Sequence, residues 1–278
     1  MKRIVLIAAA IAGVVFAAQA QPTQRQFSYY APGALIGSGE RGTTERKVYF
    51  PDMQFPIEFD PSAQQVVLNS QVYNPGGACH SAPCSWSDAD MGADGRGQCS
   101  PTNFAMPWRD TFCERGGRRN RDNPMCHHDP TASHQGVDIR APTCQRARWD
   151  AVAVENGTIA YAGGHVVRLK TPTGVTYIYR HLDPASIANW KVDDEVRRGD
   201  TIGRISNILS IRRDGSRSYT TTHLHLEAIR ADANGRQSPW PLYTSLVSAY
   251  RRAIGLSSGV DEHGLLEVDE ERELAAAN

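Results

Sequence analysis

The sequence predicts a mostly β protein: an antiparallel β-sheet or sandwich-like domain with disulfide-containing loops and one short C-terminal helix. Three observations predict it. From Trp149 onward, short runs of alternating apolar residues follow one another, separated by Gly-containing turns. Period-two alternation places every second side chain on one face, as a strand requires. All six cysteines (Cys79, Cys84, Cys99, Cys113, Cys126 and Cys144) fall in a stretch rich in turn residues. Only Leu242 to Ile254, "LYTSLVSAYRRAI", repeats its apolar residues every three or four positions.

The chain opens with "MKR" and the apolar run Ile4 to Ala18, then Ala18-Gln19-Ala20. A charged start, an apolar stretch and a small-x-small site read as an export signal over residues 1–20, with a mature chain from Gln21. The apolar run is shorter than the roughly 20 residues a membrane-spanning helix needs, so no stable membrane span is expected in the mature form. Residues 21–46 are polar and Gly-rich, an expected loose arm. Lys47 to Tyr73 holds the short apolar runs "KVYF", "FPIEF" and "QQVVLNSQVY" between prolines, which predict edge strands packed on a neighbour. Asn74 to Ser100 reads as a long disulfide-stapled loop. The expected organisation is a segment of arm, strands and loop over 21–100, the main domain over 101–256, and an acidic tail over 257–278, with Asp261 to Glu273 solvated or a frayed helix.

Within the main domain, "WDAVAVENGTIAYAGG" alternates around Asn156-Gly157, a short-range hairpin signal. "HVVRLKTPTGVTYIYRHL" predicts a turn near Thr173-Gly174, "WKVDDEVRRGDTIGRIS" a turn at Arg198-Gly199-Asp200, and "HLHLEAIRADANGRQ" a strand and a second Asn-Gly turn. Gly255 to Gly259 fits the G-x-S-x-G pattern of serine hydrolases. That elbow needs a strand before it and a helix after it. A helix precedes it here, so a glycine-capped helix end is expected instead.

Lys and Arg total 30 and Asp and Glu total 30. A chain with no global basic field has no default attraction for nucleic acid. An even number of cysteines in an exported chain reads as disulfides. The rival, a Cys/His metal site around Cys126-His127-His128, lacks the paired C-x-x-C spacing of zinc ribbons.

The remaining chemistry lies in the histidines. "SHQGVDIRAP" carries His134 and Asp138 at H-x-x-x-D spacing, and "TTHLHLEAI" carries His223 and His225 at H-x-H spacing. Histidine and carboxylate are the ligands of catalytic Zn²⁺, which takes three protein ligands and leaves one position open. On a strand, His223, His225 and Glu227 share a face, with the two histidines about 6.6 Å apart. One can bind an ion while the other stands beside it. His134 and Asp138 would be ~13 Å apart in a fully extended chain. The expected solution is a loop bearing His134, turned at Gly136 and running into a strand that starts near Asp138. By the same period, Tyr177, Tyr179 and His181 in "TYIYRHL" share a face and would form a groove wall beside the metal. Glu227 is expected either to orient a ligand histidine or to be a solvent-facing strand residue. His80, His127, His128, His165 and His263 are expected in surface or loop roles.

In order, "HQGVDIRAP", "VAVENGTIAYAGG", "TYIYRHL", "VRRGDTIGRIS" and "HLHLEA" resemble the M23 peptidases, the LytM and lysostaphin type of zinc peptidoglycan endopeptidase. The resemblance covers about Pro107 to Arg230. It implies an antiparallel β domain whose groove holds one Zn²⁺ per chain. It implies His134, Asp138 and His225 as zinc ligands, with His181 and His223 as the catalytic histidines flanking the water. It also implies hydrolysis of stem-peptide cross-links, for which a D-alanyl–diaminopimelate bond in a periplasm is expected. The rival is an inactive relative that binds the wall or activates an amidase. Thr221-Thr222 stands where the family usually has Gly-Pro, and residues 112–133 replace a usually short connection.

Overall fold

A computed structural model describes residues 27–33, 43–71, 97–114, 125–126 and 133–268. The expected signal segment, Cys79, Cys84, His80, His127 and His128 lie outside these residues. The described residues are mostly β, as predicted. Their strands are β1 (Val67–Leu68), β2 (Val137–Arg140), β3 (Asp150–Val152), β4 (Gly157–Gly163), β5 (Val166–Lys170), β6 (Thr176–Arg180), β7 (Glu195–Val196), β8 (Thr201–Arg204), β9 (Ile208–Ile211), β10 (Arg217–Tyr219), β11 (Leu224–Ala231) and β12 (Gln237–Trp240). A one-turn helix, α1 (Pro184–Ile187), follows β6, and α2 (Tyr243–Ala253) follows β12. The main sheet runs β1-β2-β11-β6-β5-β4-β7, with β12 also paired to β11. Its pairings are antiparallel. Smaller pairs join β9 to β10 and β3 to β8.

Alternation decides which face each residue serves. Leu224, Leu226 and Ala228 of β11, Val137 and Ile139 of β2, and Tyr177 and Tyr179 of β6 are fully buried in one core. Leu246, Val247 and Tyr250 of α2 join it. So do Val48, Phe50, Met53, Phe55 and Ile57, and β1 adds the sheet's edge strand. The prolines near these segments fit their short pairings, since proline cannot donate to a ladder. Burial of a side chain of this size contributes about 1.5–3 kcal/mol, so the segment before residue 100 is a working part of the fold.

Two expectations are corrected. Asn156-Gly157 does not close a hairpin: β3 pairs with β8, and β4 pairs with β5 and β7. Gly157 opens β4, where a Cβ would stand 2.4 Å from the Lys170 carbonyl oxygen. The glycine serves close strand approach, at a corner where the chain changes sheets. The acidic tail is not solvated from its start either. Leu266 is fully buried, Leu265 bridges Lys47, and Glu267 accepts a bond from Tyr29 Oη at 2.6 Å. The turns at Gly174, Gly199 and Gly235 stand where the sequence placed them, and Gly255 follows the C-terminus of α2. Among the described residues no helix is long and apolar enough to cross a membrane.

Cys99 is bonded to Cys144, and Cys113 to Cys126. The first ties the Gly97–Phe104 segment to the end of β2, and the second closes residues 113–126. Thiol titration of denatured, unreduced protein should therefore find at most the two thiols of Cys79 and Cys84. Reaction of four or more would refute this pairing.

Candidate metal centre

The centre is built on β11. His225 lies directly opposite Asp138 of β2 in the antiparallel register, and opposite Arg180 of β6. Directly opposed residues have Cβ atoms roughly 4.5–5.5 Å apart, so pairing alone brings His225 and Asp138 together. His134 arrives from the loop before β2. Gly136 permits this by close approach: a Cβ there would meet the Leu226 carbonyl oxygen at 2.4 Å and His225 Nε2 at 2.9 Å.

His225 Nδ1 is 2.9 Å from Asp138 Oδ1, and His134 Nε2 is 3.0 Å from His225 Nδ1 and 3.3 Å from Asp138 Oδ1. The outer bonds fix the tautomers. His134 Nδ1–H donates to the Thr111 carbonyl oxygen at 2.6 Å, because a carbonyl can only accept. His225 Nε2–H donates to Glu227 Oε1 at 3.2 Å. Glu227 also accepts from Arg180 Nε at 2.6 Å. Burial pushes the Glu227 carboxyl up, but its bond to His225 and the Arg180 charge outweigh this and hold it at about 2. It is therefore an acceptor at neutral pH. With neutral rings, His134 Nε2, His225 Nδ1 and the Asp138 carboxylate present three acceptors to one point, with no donor among them. Such an arrangement needs a proton or a cation. Ligand atoms ~2.0–2.2 Å from a tetrahedral Zn²⁺ lie ~3.3 Å apart, and the three ligand atoms all lie within 4.8 Å of one another. The residues fit the ion.

Without a metal, the proton takes its place. Burial lowers the His134 pKa, but the Asp138 charge outweighs it, and the imidazole is pushed up to about 9. For Asp138, burial raises and the His134 and His223 charges lower; the carboxyl sits well below its usual range.

His223 Nδ1–H donates to the Thr221 carbonyl oxygen at 2.9 Å, which leaves Nε2 as an acceptor 3.4 Å from Asp138 Oδ1. His181 Nδ1–H donates to the Ile208 carbonyl oxygen at 2.8 Å. Its ring centroid is 4.6 Å from that of His223 and 6.0 Å from that of His225. Burial, then the neighbouring His223 and His225, hold the His181 imidazole well below its usual range, so it is neutral at pH 7.

The expected tyrosine wall is corrected. Tyr177 and Tyr179 point into the core, where Tyr179 Oη accepts from Val154 N and Tyr177 Oη donates to Glu155. Strict alternation would send His181 after them. Its φ of +63° breaks the alternation and brings the ring to the histidine face. A non-glycine residue with positive φ is uncommon and strained. His165, expected in a surface or loop role, lies in the turn between β4 and β5, where it is half-buried and stacks on His181 at 6.0 Å between centroids.

Sequence reasoning missed Thr111, Gln71, Gln98 and Arg140. Gln71 Oε1 accepts from Thr221 Oγ1, and Gln98 Oε1 accepts from Thr222 N at 2.7 Å. The two threonines in the usual Gly-Pro position are thus held by the earlier segment. Arg140 shares the face of Asp138 and is fully buried, with Nη1 donating to the Gln98 carbonyl oxygen at 3.3 Å. Burial lowers its guanidinium to about 10, against the pull of Asp138. No pattern in "VDIRAP" marks this position.

Residues 132–238 match the model of peptidase family M23. No curated protein matches the chain. Among solved structures, the chain is similar to one described as a glycyl-glycine endopeptidase lytM from Ruminococcus gnavus (24% identity, 45% of this chain and 49% of that one, TM-score 0.37). It is similar to the catalytic domain of the antimicrobial peptidase lysostaphin from Staphylococcus simulans (21%, 49% and 92%, 0.33). A third is a zinc containing peptidase from Vibrio cholerae (18%, 48% and 36%, 0.29). The chain spans about half the length of the first of these. Residues 132–238, which carry the centre, are thus what this chain shares with peptidase family M23.

Proposed function

We propose that the protein is an exported zinc metalloendopeptidase that hydrolyses peptide cross-links of bacterial peptidoglycan, with D-Ala–diaminopimelate bonds as the expected target. The observation that carries this reading is the convergence of His134 Nε2, His225 Nδ1 and Asp138 Oδ1 with no donor between them. When bound there, Zn²⁺ supplies a Lewis acid that polarises a scissile carbonyl and acidifies water.

The chain's own groups do the rest. Glu227, held by Arg180, orients His225 and raises its basicity. The Nδ1–H of His223 and of His181 is committed to a backbone carbonyl, so Nε2 is the nitrogen each ring turns to the site. One accepts the proton of the attacking water and later delivers it to the leaving amine. The other stands beside the developing oxyanion. The five residues come from β2, β11, the end of β6 and the loops beside them, so neighbouring strands of one sheet carry them. The main domain over 101–256 and the periplasmic setting belong to the same proposal.

The test is digestion of purified peptidoglycan by the full mature chain, with identification of the released muropeptides and of bound metal. The expected result is about one Zn²⁺ per chain, as a three-ligand site requires, and new stem-peptide termini at the cut cross-link. Bound zinc without cleavage would overturn the enzyme reading in favour of an amidase activator.

A further inference from the structure

We propose that Thr111, through its hydroxyl, is a positioning residue for Asp138 and so for the metal site. This rests on reading His134, Asp138 and His225 as metal ligands. Thr111 is 1% exposed and precedes the 132–238 segment that matches the family. It touches two of the three ligands. Its carbonyl oxygen accepts from His134 Nδ1 at 2.6 Å, and its Oγ1 accepts from the backbone N–H of Asp138 at 3.0 Å. The first bond turns His134 Nε2, as a lone pair, toward Asp138 and His225. The second pins the start of β2, where the Asp138 side chain leaves the backbone.

The turn that carries Thr111 is itself fixed. Asp110 Oδ1 accepts from Phe112 N at 2.9 Å, and Asp110 Oδ2 accepts from Gly33 N at 3.2 Å. Cys113 N donates to the His134 carbonyl oxygen at 2.9 Å, and His134 N donates to the Glu114 carbonyl oxygen at 2.8 Å. Cys113 is bonded to Cys126. Residues 110–114 therefore form a brace along His134, with the Thr111 hydroxyl reaching past it to Asp138. The loop between the two ligands contains Gly136, the residue type that loses most conformational freedom on ordering. A brace that removes this freedom before metal binding raises affinity, by the same logic that makes outer partners of metal ligands matter.

The test uses the full mature chain and zinc alone. Thr111→Val removes the hydroxyl at similar volume, Thr111→Ser keeps it, and Thr111→Ala reads the same contact if the valine variant does not fold. Zinc dissociation constants are measured against a chromogenic chelator at a temperature where circular dichroism shows every variant folded. The unfolding midpoint of each chelator-treated protein is measured beside them. Thr111→Val or Thr111→Ala should bind zinc about 10- to 100-fold more weakly, and Thr111→Ser should bind like the parent. Unchanged zinc affinity in the valine and alanine variants, with a lowered zinc-free midpoint, would make Thr111 purely structural and overturn the proposal. So would a serine variant that fails to recover affinity. A parent that binds no zinc would overturn the metal reading as well, which separates the two failures.

Discussion

His225→Ala should release the metal and bring peptidoglycan cleavage to background, the largest effect of any single substitution here. His225 joins every part of the centre. Its Nδ1 is the ligand atom nearest Asp138 Oδ1, at 2.9 Å, and it is 3.0 Å from His134 Nε2. Its Nε2–H carries the tie to Glu227 and so to Arg180. Outer partners alone are worth about 10- to 100-fold in metal affinity, and loss of a direct ligand should exceed that. The fold should survive, because Leu224 and Leu226 on the other face of β11 still fill the core and Glu227 keeps Arg180. Metal analysis after dialysis, beside circular dichroism, reads both. A folded His225→Ala protein that keeps about one zinc per chain would show that the ion is held elsewhere.

Local periodicity made part of this centre legible. Period two alone set His223, His225 and Glu227 on one face of β11 and their leucine neighbours on the other. The H-x-x-x-D spacing required a loop before β2, and the loop is there. The same rule misplaced the tyrosines: His181 reaches the site because its backbone turns to φ +63°, a local exception that no alternating pattern announces. Asn156-Gly157 misled for a related reason. Glycine serves both turns and close backbone approach, and only the partner strand distinguishes them. Thr111, Gln71 and Gln98 were invisible for another reason. Each acts across 23 to 150 positions of chain, by contacts that tertiary packing alone creates.

His181→Ala and His223→Ala should each keep zinc yet lose turnover by about 10²- to 10⁴-fold, the range for removing a general base or an oxyanion donor. The pair differs from the other three in standing beside the cluster rather than in it. Both Nδ1 atoms donate to backbone carbonyls, of Ile208 and Thr221, which orients each ring without help from a metal. The three convergent acceptors equal in number the protein ligands that a catalytic zinc site takes. His223 stands at 3.4 Å from Asp138, beside the cluster, and the ring of His181 lies farther from His225 than from His223. Neither substitution opens the main core, since both rings lie on its opposite face. His181→Asn is a useful companion, because asparagine tolerates positive φ better than most residues. It should preserve the backbone turn while removing the imidazole, and its loss of rate should match that of His181→Ala. Zinc content, melting temperature and muropeptide release, measured on the same preparations, separate the outcomes. Parental cleavage by both alanine variants would remove these histidines from the mechanism. Loss of zinc from either would move that histidine into the ligand set.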